Sequence, residues 1–279
     1  MKKRLSKQIS KNSGSNFYAT FLFLNKNQRK AMQTVYSFCR LSDDIVDSNH
    51  SQSHKTEELT AWRNSLENCF QNQFDNQLFS ELKQTIDQFA IPHDYFREII
   101  AGMEMDLTQN EYNEFSDLYK YCYRVASVVG LISIYIFGNT SNDAQEYAIN
   151  LGIALQLTNI MRDFHQDARE NRVYIPAIEM HDCSYSTSDL LAKVNNGNYQ
   201  KLMTQQFERA LMYYKKSQEV FAKTTDRRLR VAQMMGAIYY RILLSLKASN
   251  FYVFDHKISL STYQKIWAML SQIRLHRFI

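Results

Sequence analysis

Two stretches decide how this chain folds: Tyr36-Ser-Phe-Cys-Arg40-Leu-Ser-Asp43-Asp44-Ile-Val-Asp47 and Gln156-Leu-Thr-Asn159-Ile-Met-Arg162-Asp163-Phe-His-Gln-Asp167. In the first, Tyr36, Arg40, Asp43 and Asp47 stand at relative positions 0, 4, 7 and 11. On a helix turning about 100° per residue they fall within roughly 60° of one another. In the second, Gln156, Asn159, Asp163 and Asp167 stand at 0, 3, 7 and 11 and share a face of roughly 80°. The remaining positions are mostly apolar: Val35, Phe38, Leu41, Ile45 and Val46 in one, Leu151, Ile153, Ala154, Leu155, Leu157, Ile160 and Met161 in and before the other. A helix that is apolar nearly all round is buried. Each polar stripe is therefore expected to face an interior cavity.

Such stripes are unfavourable without a counter-charge. Carboxylates at i and i+4 repel one another, and burying an unpaired charge is worse. Oxygen-only ligands favour a hard cation such as Mg²⁺, which completes its shell with phosphate oxygens and water. Arg40 and Arg162 adjoin the two clusters and Arg172 follows; guanidinium groups suit phosphate oxygens. Carboxylates, metal and arginines together describe a site for a diphosphate that departs as a leaving group. A single DxxxD says little, because solvated helix faces produce it readily. Two of them, each lengthened by two polar residues along one stripe, are far more specific. A carboxylate di-iron bundle would need Glu-x-x-His pairs, which the chain lacks. His93-Asp94 and His181-Asp182 hint at a metal phosphohydrolase, but they stand apart from the stripes and read as incidental.

Working outward, 7 glycines and 2 prolines in 279 residues leave few of the breakers that sheets and tight turns need. The reading is all-α. Helical periodicity runs through 27–47, 56–72, 76–90, 93–109, 116–137, 143–168, 200–223, 227–249 and 259–272. Pro92 stands where a helix begins, and Gly138 suits the C-terminal cap of an apolar helix. The polar segments 48–53 and 195–198 read as loops too short to mark a domain boundary. The expectation is a basic tail over residues 1–14 followed by one domain, 15–279, a bundle of about eight to ten helices.

The net charge of +5 is modest, and apart from Lys2, Lys3, Arg4, Lys7 and Lys11 the basic residues are dispersed. That speaks against nucleic acid and makes the start a solvated tail, with an anionic membrane surface as the alternative. Cys39, Cys69, Cys122 and Cys183 have no metal spacing and imply a reducing, cytoplasmic setting. No signal peptide is visible. The run Val125 to Phe137 is too short to span a bilayer and reads as a buried core helix.

The two stretches resemble the first and second aspartate motifs of squalene and phytoene synthases. Arg172-Val-Tyr174-Ile-Pro176 continues the second, and Tyr121-Cys-Tyr-Arg-Val125-Ala-Ser-Val-Val129-Gly130 is similar to the family's central helix. The similarity extends from about residue 15 to 272. It implies the isoprenoid-synthase helical bundle with a central cavity, and head-to-head (1′–1) condensation of two prenyl diphosphates. It further implies that Asp43, Asp44, Asp47, Asn159, Asp163 and Asp167 hold two to three Mg²⁺ ions. Arg40, Gln156, Arg162, Arg172, Tyr174, Tyr240 and Lys257 would bind substrate. Tyr36, Tyr121 and Phe17 would stand near an allylic cation. Two positions depart from the family pattern: Asn16 precedes Phe17, and Lys257 stands where the family tends to carry arginine, keeping charge but losing the bidentate fork. Gly130 inside an apolar helix is expected to make room for a prenyl chain.

The preferred substrate is farnesyl diphosphate, giving presqualene diphosphate; geranylgeranyl diphosphate, giving phytoene, is the alternative. Onward reduction to squalene would need NADPH, and the absence of GxGxxG does not exclude it in this family. The closing segment from Ile266 and Trp267 to Ile279 either rests on a bilayer surface or packs as a last helix. Some relatives are non-catalytic assembly factors, but such a protein would have no reason to keep mutually repelling aspartates.

Overall fold

The computed structural model describes residues 19–224, 226–274 and 278–279. The basic start, Asn16 and Phe17 lie outside them. Every regular element among the described residues is helical, and extended backbone pairs only at an isolated bridge, Glu111 with Val173.

Local signals set the helix ends. Helix α1 (Lys26–Val46) starts at Asn25, whose side chain accepts from the backbone of Asn27 and Gln28, with Gln28 closing a capping box. Helix α2 (Gln52–Phe70) is capped by Ser51 and α3 (Gln77–Phe89) by Asn76. Pro92 stands just before α4 (His93–Thr108). Helix α5 (Phe115–Cys122) runs through a π-turn (Tyr123–Ser127) into α6 (Val128–Phe137), which ends on Gly138 at φ 84°. Helix α7 (Asn142–Arg169), capped by Ser141, has 28 residues. Two short helices follow, α8 (Ala177–Asp182) and α9 (Thr187–Leu191). The chain closes with α10 (Gly197–Thr224), α11 (Arg230–Ala248) and α12 (Thr262–Arg274).

The expected periodic segments are all helices. The periodicity missed α8 and α9, since a helix of one to two turns is too short to show a period. It also read 195–198 and 48–53 wholly as loop. Gly197 opens α10 beside Asn196, whose side chain accepts from Asn198 and Tyr199, and Gln52 opens α2.

Helix α7 is the axis of the bundle. It packs on α10, α6, the π-turn, α11 and α5, while α1 packs on α2, α3, α4 and α6. The two aspartate helices thus share α6 as a neighbour. Close approach on that wall depends on glycine. A Cβ on Gly152 would lie 2.5 Å from Cα of Ser127, and one on Gly130 would lie 3.0 Å from the Ala148 carbonyl oxygen. Gly130 thus lets α6 approach α7, and it also lines an apolar cavity between the helices.

The apolar run is also longer than its sequence reading, because the helical stretch continues from Phe115 to Phe137. Those 23 residues are long and apolar enough to cross a membrane by length and composition. Here the stretch is packed between α4 and α7. On α12, Tyr263, Ile266, Trp267 and Leu270 are exposed at helical spacing, so part of the closing helix is not packed away.

Candidate active site

The last turns of α1 and α7 bring the stripes together. Tyr36, Arg40 and Asp43 from α1 and Gln156, Asn159, Arg162, Asp163 and Asp167 from α7 line one cavity of about 340 Å³. Met103 and Ile99 of α4, Tyr121 and Val125 from the α5–π-turn segment, and Tyr174 complete it.

Cations already hold several of the carboxylates. Arg162 forks onto Asp163 at 2.6 and 3.0 Å, and Lys257 reaches the same carboxylate at 3.0 Å. Arg172 donates to Asp47 at 2.7 Å and to the Val46 carbonyl at 3.0 Å. Arg40 lies 3.3 Å from Asp43 and 2.5 Å from Asp44. Asp167 makes no ion pair among the described residues.

The protonation balance follows these contacts. Burial, then the neighbouring charge of Asp47, pushes Asp43 up to about 7. Its side chain is 43% accessible, but it lines the cavity, where solvation is poorer than in bulk water. Burial and the charge of Asp163 push Asp167 up to about 8. Burial also works on Asp163, but Arg162 and Lys257 outweigh it and hold that carboxyl below the usual range. The site carries more carboxylate than its side-chain cations neutralise.

A second cluster braces one wall. Tyr121 donates to one oxygen of Asp106 at 3.1 Å and Tyr174 to the other at 2.8 Å. The two rings stack at 4.9 Å, with Tyr112 against Tyr174 at 5.8 Å. Burial raises Asp106 to about 6, less than it otherwise would because both phenols donate to the carboxylate. It also pushes the Tyr121 and Tyr174 phenols far up, keeping them as donors.

From the polar cavity an apolar one of about 210 Å³ runs back between α1, α6 and α7. Tyr36, Cys39, Val125, Gln156 and Asn159 line both. An oxygen-rich, anion-binding mouth opening into an apolar cavity is the shape an amphiphile with an anionic head requires.

The family model for squalene/phytoene synthase matches residues 10–264. The chain belongs to the squalene/phytoene synthase family. A phytoene synthase of Arthrospira platensis is 33% identical over 97% of this chain and 92% of its own. A presqualene diphosphate synthase of Rhodopseudomonas palustris is 34% identical over 92% of each chain. The solved structure of a dehydrosqualene synthase in complex with ligand superposes with a TM-score of 0.87, at 25% identity over 96% of this chain and 94% of that one. The fold is the all-α isoprenoid-synthase bundle.

Within this synthase frame, the chain's own residues pass a test of fit for a divalent cation. The Asn159 side-chain oxygen is buried with no hydrogen-bond partner in a cavity it shares with Asp167, which makes no ion pair among the described residues, and with Asp43, whose cation Arg40 is shared with Asp44. An all-oxygen donor set of this kind suits Mg²⁺. Asp43, Asn159, Asp163 and Asp167, which line the cavity, would hold it, with Asp47 one turn beyond Asp43 on the same stripe though outside the lining. Asp44, expected among the ligands, does not line the cavity; it is engaged by Arg40 and 45% exposed. It follows Asp43 by one residue, a turn of about 100° off the stripe.

The other substrate positions divide. Arg40, Gln156, Arg162 and Tyr174 line the polar cavity, Lys257 reaches its carboxylate Asp163, and Arg172 holds Asp47, which does not line it. Tyr240 lines neither cavity, because its ring packs on Tyr214 at 5.4 Å and Phe278 at 5.8 Å. Met235, five residues earlier on α11, does face the apolar cavity, and five residues turn a helix by roughly 140° away from it. Phe17 lies outside the described residues. Asp106 was not anticipated. Its signal was available: Phe96, Ile99, Ile100, Met103 and Leu107 are the buried face of α4, and Asp106 falls on it.

Proposed function

We propose that this synthase joins two molecules of farnesyl diphosphate head to head, in a Mg²⁺-dependent reaction, to give presqualene diphosphate. The observation that carries the reading is the pairing of uncompensated carboxylates and the partnerless Asn159 oxygen with an apolar cavity opening directly behind them. Bound Mg²⁺ supplies positive charge to the diphosphate oxygens and makes the group a better leaving group.

Arg40, Arg172 and Lys257 are placed to bind the remaining diphosphate oxygens; each is now held on a carboxylate that the metal would otherwise engage. The C1–O bond of the donor breaks with its electron pair leaving on diphosphate. The 2,3-double bond of the second chain supplies electrons to C1, and the cyclopropane closes as C1 loses a proton to the released diphosphate. Two diphosphates thus yield one cyclopropylcarbinyl diphosphate, one diphosphate and one proton. Tyr36 lines the junction of the two cavities and Tyr121 the wall of the polar one. Ring faces there favour a transient cation without offering it a base. Asp106 fixes the Tyr121 and Tyr174 rings and so positions that wall.

Geranylgeranyl diphosphate, giving phytoene, is the second reading, supported by the similarity to the Arthrospira enzyme. The test is incubation of the purified chain with Mg²⁺ and the C15 or C20 diphosphate, with and without NADPH, followed by product identification. Presqualene diphosphate from the C15 substrate is expected. Phytoene from C20 alone would reverse the substrate assignment, and no condensation product from either would remove the reaction.

A further inference from the structure

The apolar cavity runs back from the polar site, and its depth bears on which prenyl chain fits. On α7 its lining extends from Asn159 back to Tyr147. Twelve residues at about 1.5 Å each make that about 18 Å. The opposite wall, Val125 to Phe137, runs the same number of residues. Diphosphate held at Asp163 and Asp167 lies one and two turns beyond Asn159, so the first carbon of a bound chain begins near Asn159. Each isoprene unit advances a chain by about 5 Å, four carbon–carbon bonds of about 1.5 Å. Three units, about 15 Å, reach the level of Ala148, eleven residues or about 16 Å back along α7. A fourth meets Tyr147.

Tyr147 is suited to be a stop. It has no solvent exposure, and its ring packs on Phe221 of α10 at 5.7 Å, which leaves it no room to retreat. Its hydroxyl is buried without a hydrogen-bond partner. A buried, unpaired hydroxyl is destabilising, so phenylalanine would serve packing better. The ring's bulk at the cavity's end has a use in selectivity that its hydroxyl does not have in stability.

We infer that Tyr147 is the specificity-determining residue that closes the cavity after three isoprene units and excludes a C20 chain. The inference rests on the prenyl-diphosphate reading above, and names the substrate length that reading leaves to experiment.

The test compares the full-length wild type with Tyr147→Ala, Tyr147→Leu and Tyr147→Phe. Two readouts are taken: the ratio of kcat/KM for C15 and C20 diphosphates, and the ratio of Kd for their non-reacting thiodiphosphate analogues. Wild type should favour C15 by about 10-fold or more, the discrimination a hydrophobic pocket achieves per added group. Tyr147→Ala should move both ratios toward C20 by about 10- to 200-fold, and Tyr147→Leu by less. Tyr147→Phe should keep the C15 preference and raise Tm, because it deletes only the partnerless hydroxyl. Tyr147→Leu keeps the test open if the alanine variant fails to fold. A wild type that prefers C20, or folded Ala and Leu variants with unchanged ratios, overturns the inference. If neither diphosphate is turned over, the reaction assignment fails, while the Kd ratios still decide the role of Tyr147.

Discussion

Removing the charge of Asp167 should stabilise the metal-free protein, and the size of the effect follows from the site. Burial and Asp163 raise this carboxyl from 3.8 to about 8. A carboxyl with a folded pKa above its unfolded value binds its proton more tightly when folded. Its contribution is therefore intact below about pH 4 and is lost as pH rises toward 8. By pH 7 about three pH units of loss have accumulated, a ceiling of roughly 4 kcal/mol at 1.36 kcal/mol per unit. Water in the open cavity, with Arg172 and Lys257 nearby, screens most of this and leaves about 1–2 kcal/mol. In a protein of this size each kcal/mol moves Tm by about 2–4 °C. Asp167→Asn should thus raise Tm in EDTA by about 3–6 °C at pH 7 and by clearly less at pH 5, measured by circular dichroism melts across that range. Mg²⁺ with a non-hydrolysable prenyl diphosphate analogue should reverse the order, stabilising wild type and not the variant. Parallel Tm–pH curves for the two proteins in EDTA would refute the claim that the site holds uncompensated carboxylate.

Asp43→Asn and Asp163→Asn should each lower product formation by about 10²-fold or more, with the helical circular dichroism signal unchanged; normal turnover by either would remove it from the metal set. Asp106→Ala removes the acceptor of Tyr174 and leaves Tyr121 only the Tyr174 hydroxyl at 3.3 Å, so one buried donor is stranded and stability should fall by about 1–3 kcal/mol. Asp106→Asn keeps one acceptor and should lose about half as much in a urea titration; equal losses would argue against the shared-acceptor role. From Arg227 to Ile279 the sole acidic residue is Asp255, against nine Lys and Arg. With the exposed stripe on α12, this predicts binding to anionic over neutral lipid vesicles. Trp267 is half exposed and Trp62 is hydrogen-bonded to Ser42, so a blue shift of tryptophan fluorescence should report docking. Trp267→Ser with Ile266→Ser should abolish it, and binding that survives both changes would place the contact elsewhere.

Much of the site was legible because its ligands sit on two helices. Tyr36, Arg40 and Asp43, or Gln156, Asn159, Asp163 and Asp167, become a face as soon as the chain turns every 3.6 residues. The same spacing in apolar surroundings announced burial, and burial of like charges announced a missing cation. Asp106 is marked in the sequence only as a carboxylate on the apolar face of α4; its role depends on Tyr121 and Tyr174, which are 15 and 68 residues away and carry no local pattern with it. Tyr240 went the other way: the family resemblance named it, and a rotation along α11 took it out of the cavity.

By itself the sequence determined the helices, the two polar faces and the chemistry that those faces need, since side-chain periodicity and like-charge repulsion act over a few residues. Only the tertiary structure decided which carboxylates keep a cation and which do not. Arg172 finds Asp47 across 125 residues, and Lys257 finds Asp163 from another loop, while Asp167 is left without one. It also brings Tyr147 to the far end of the apolar lining on α7, with Phe221 of α10 packed against its ring. Counter-charge and confinement are supplied by neighbours in space, and those are set by packing between helices far apart in the chain.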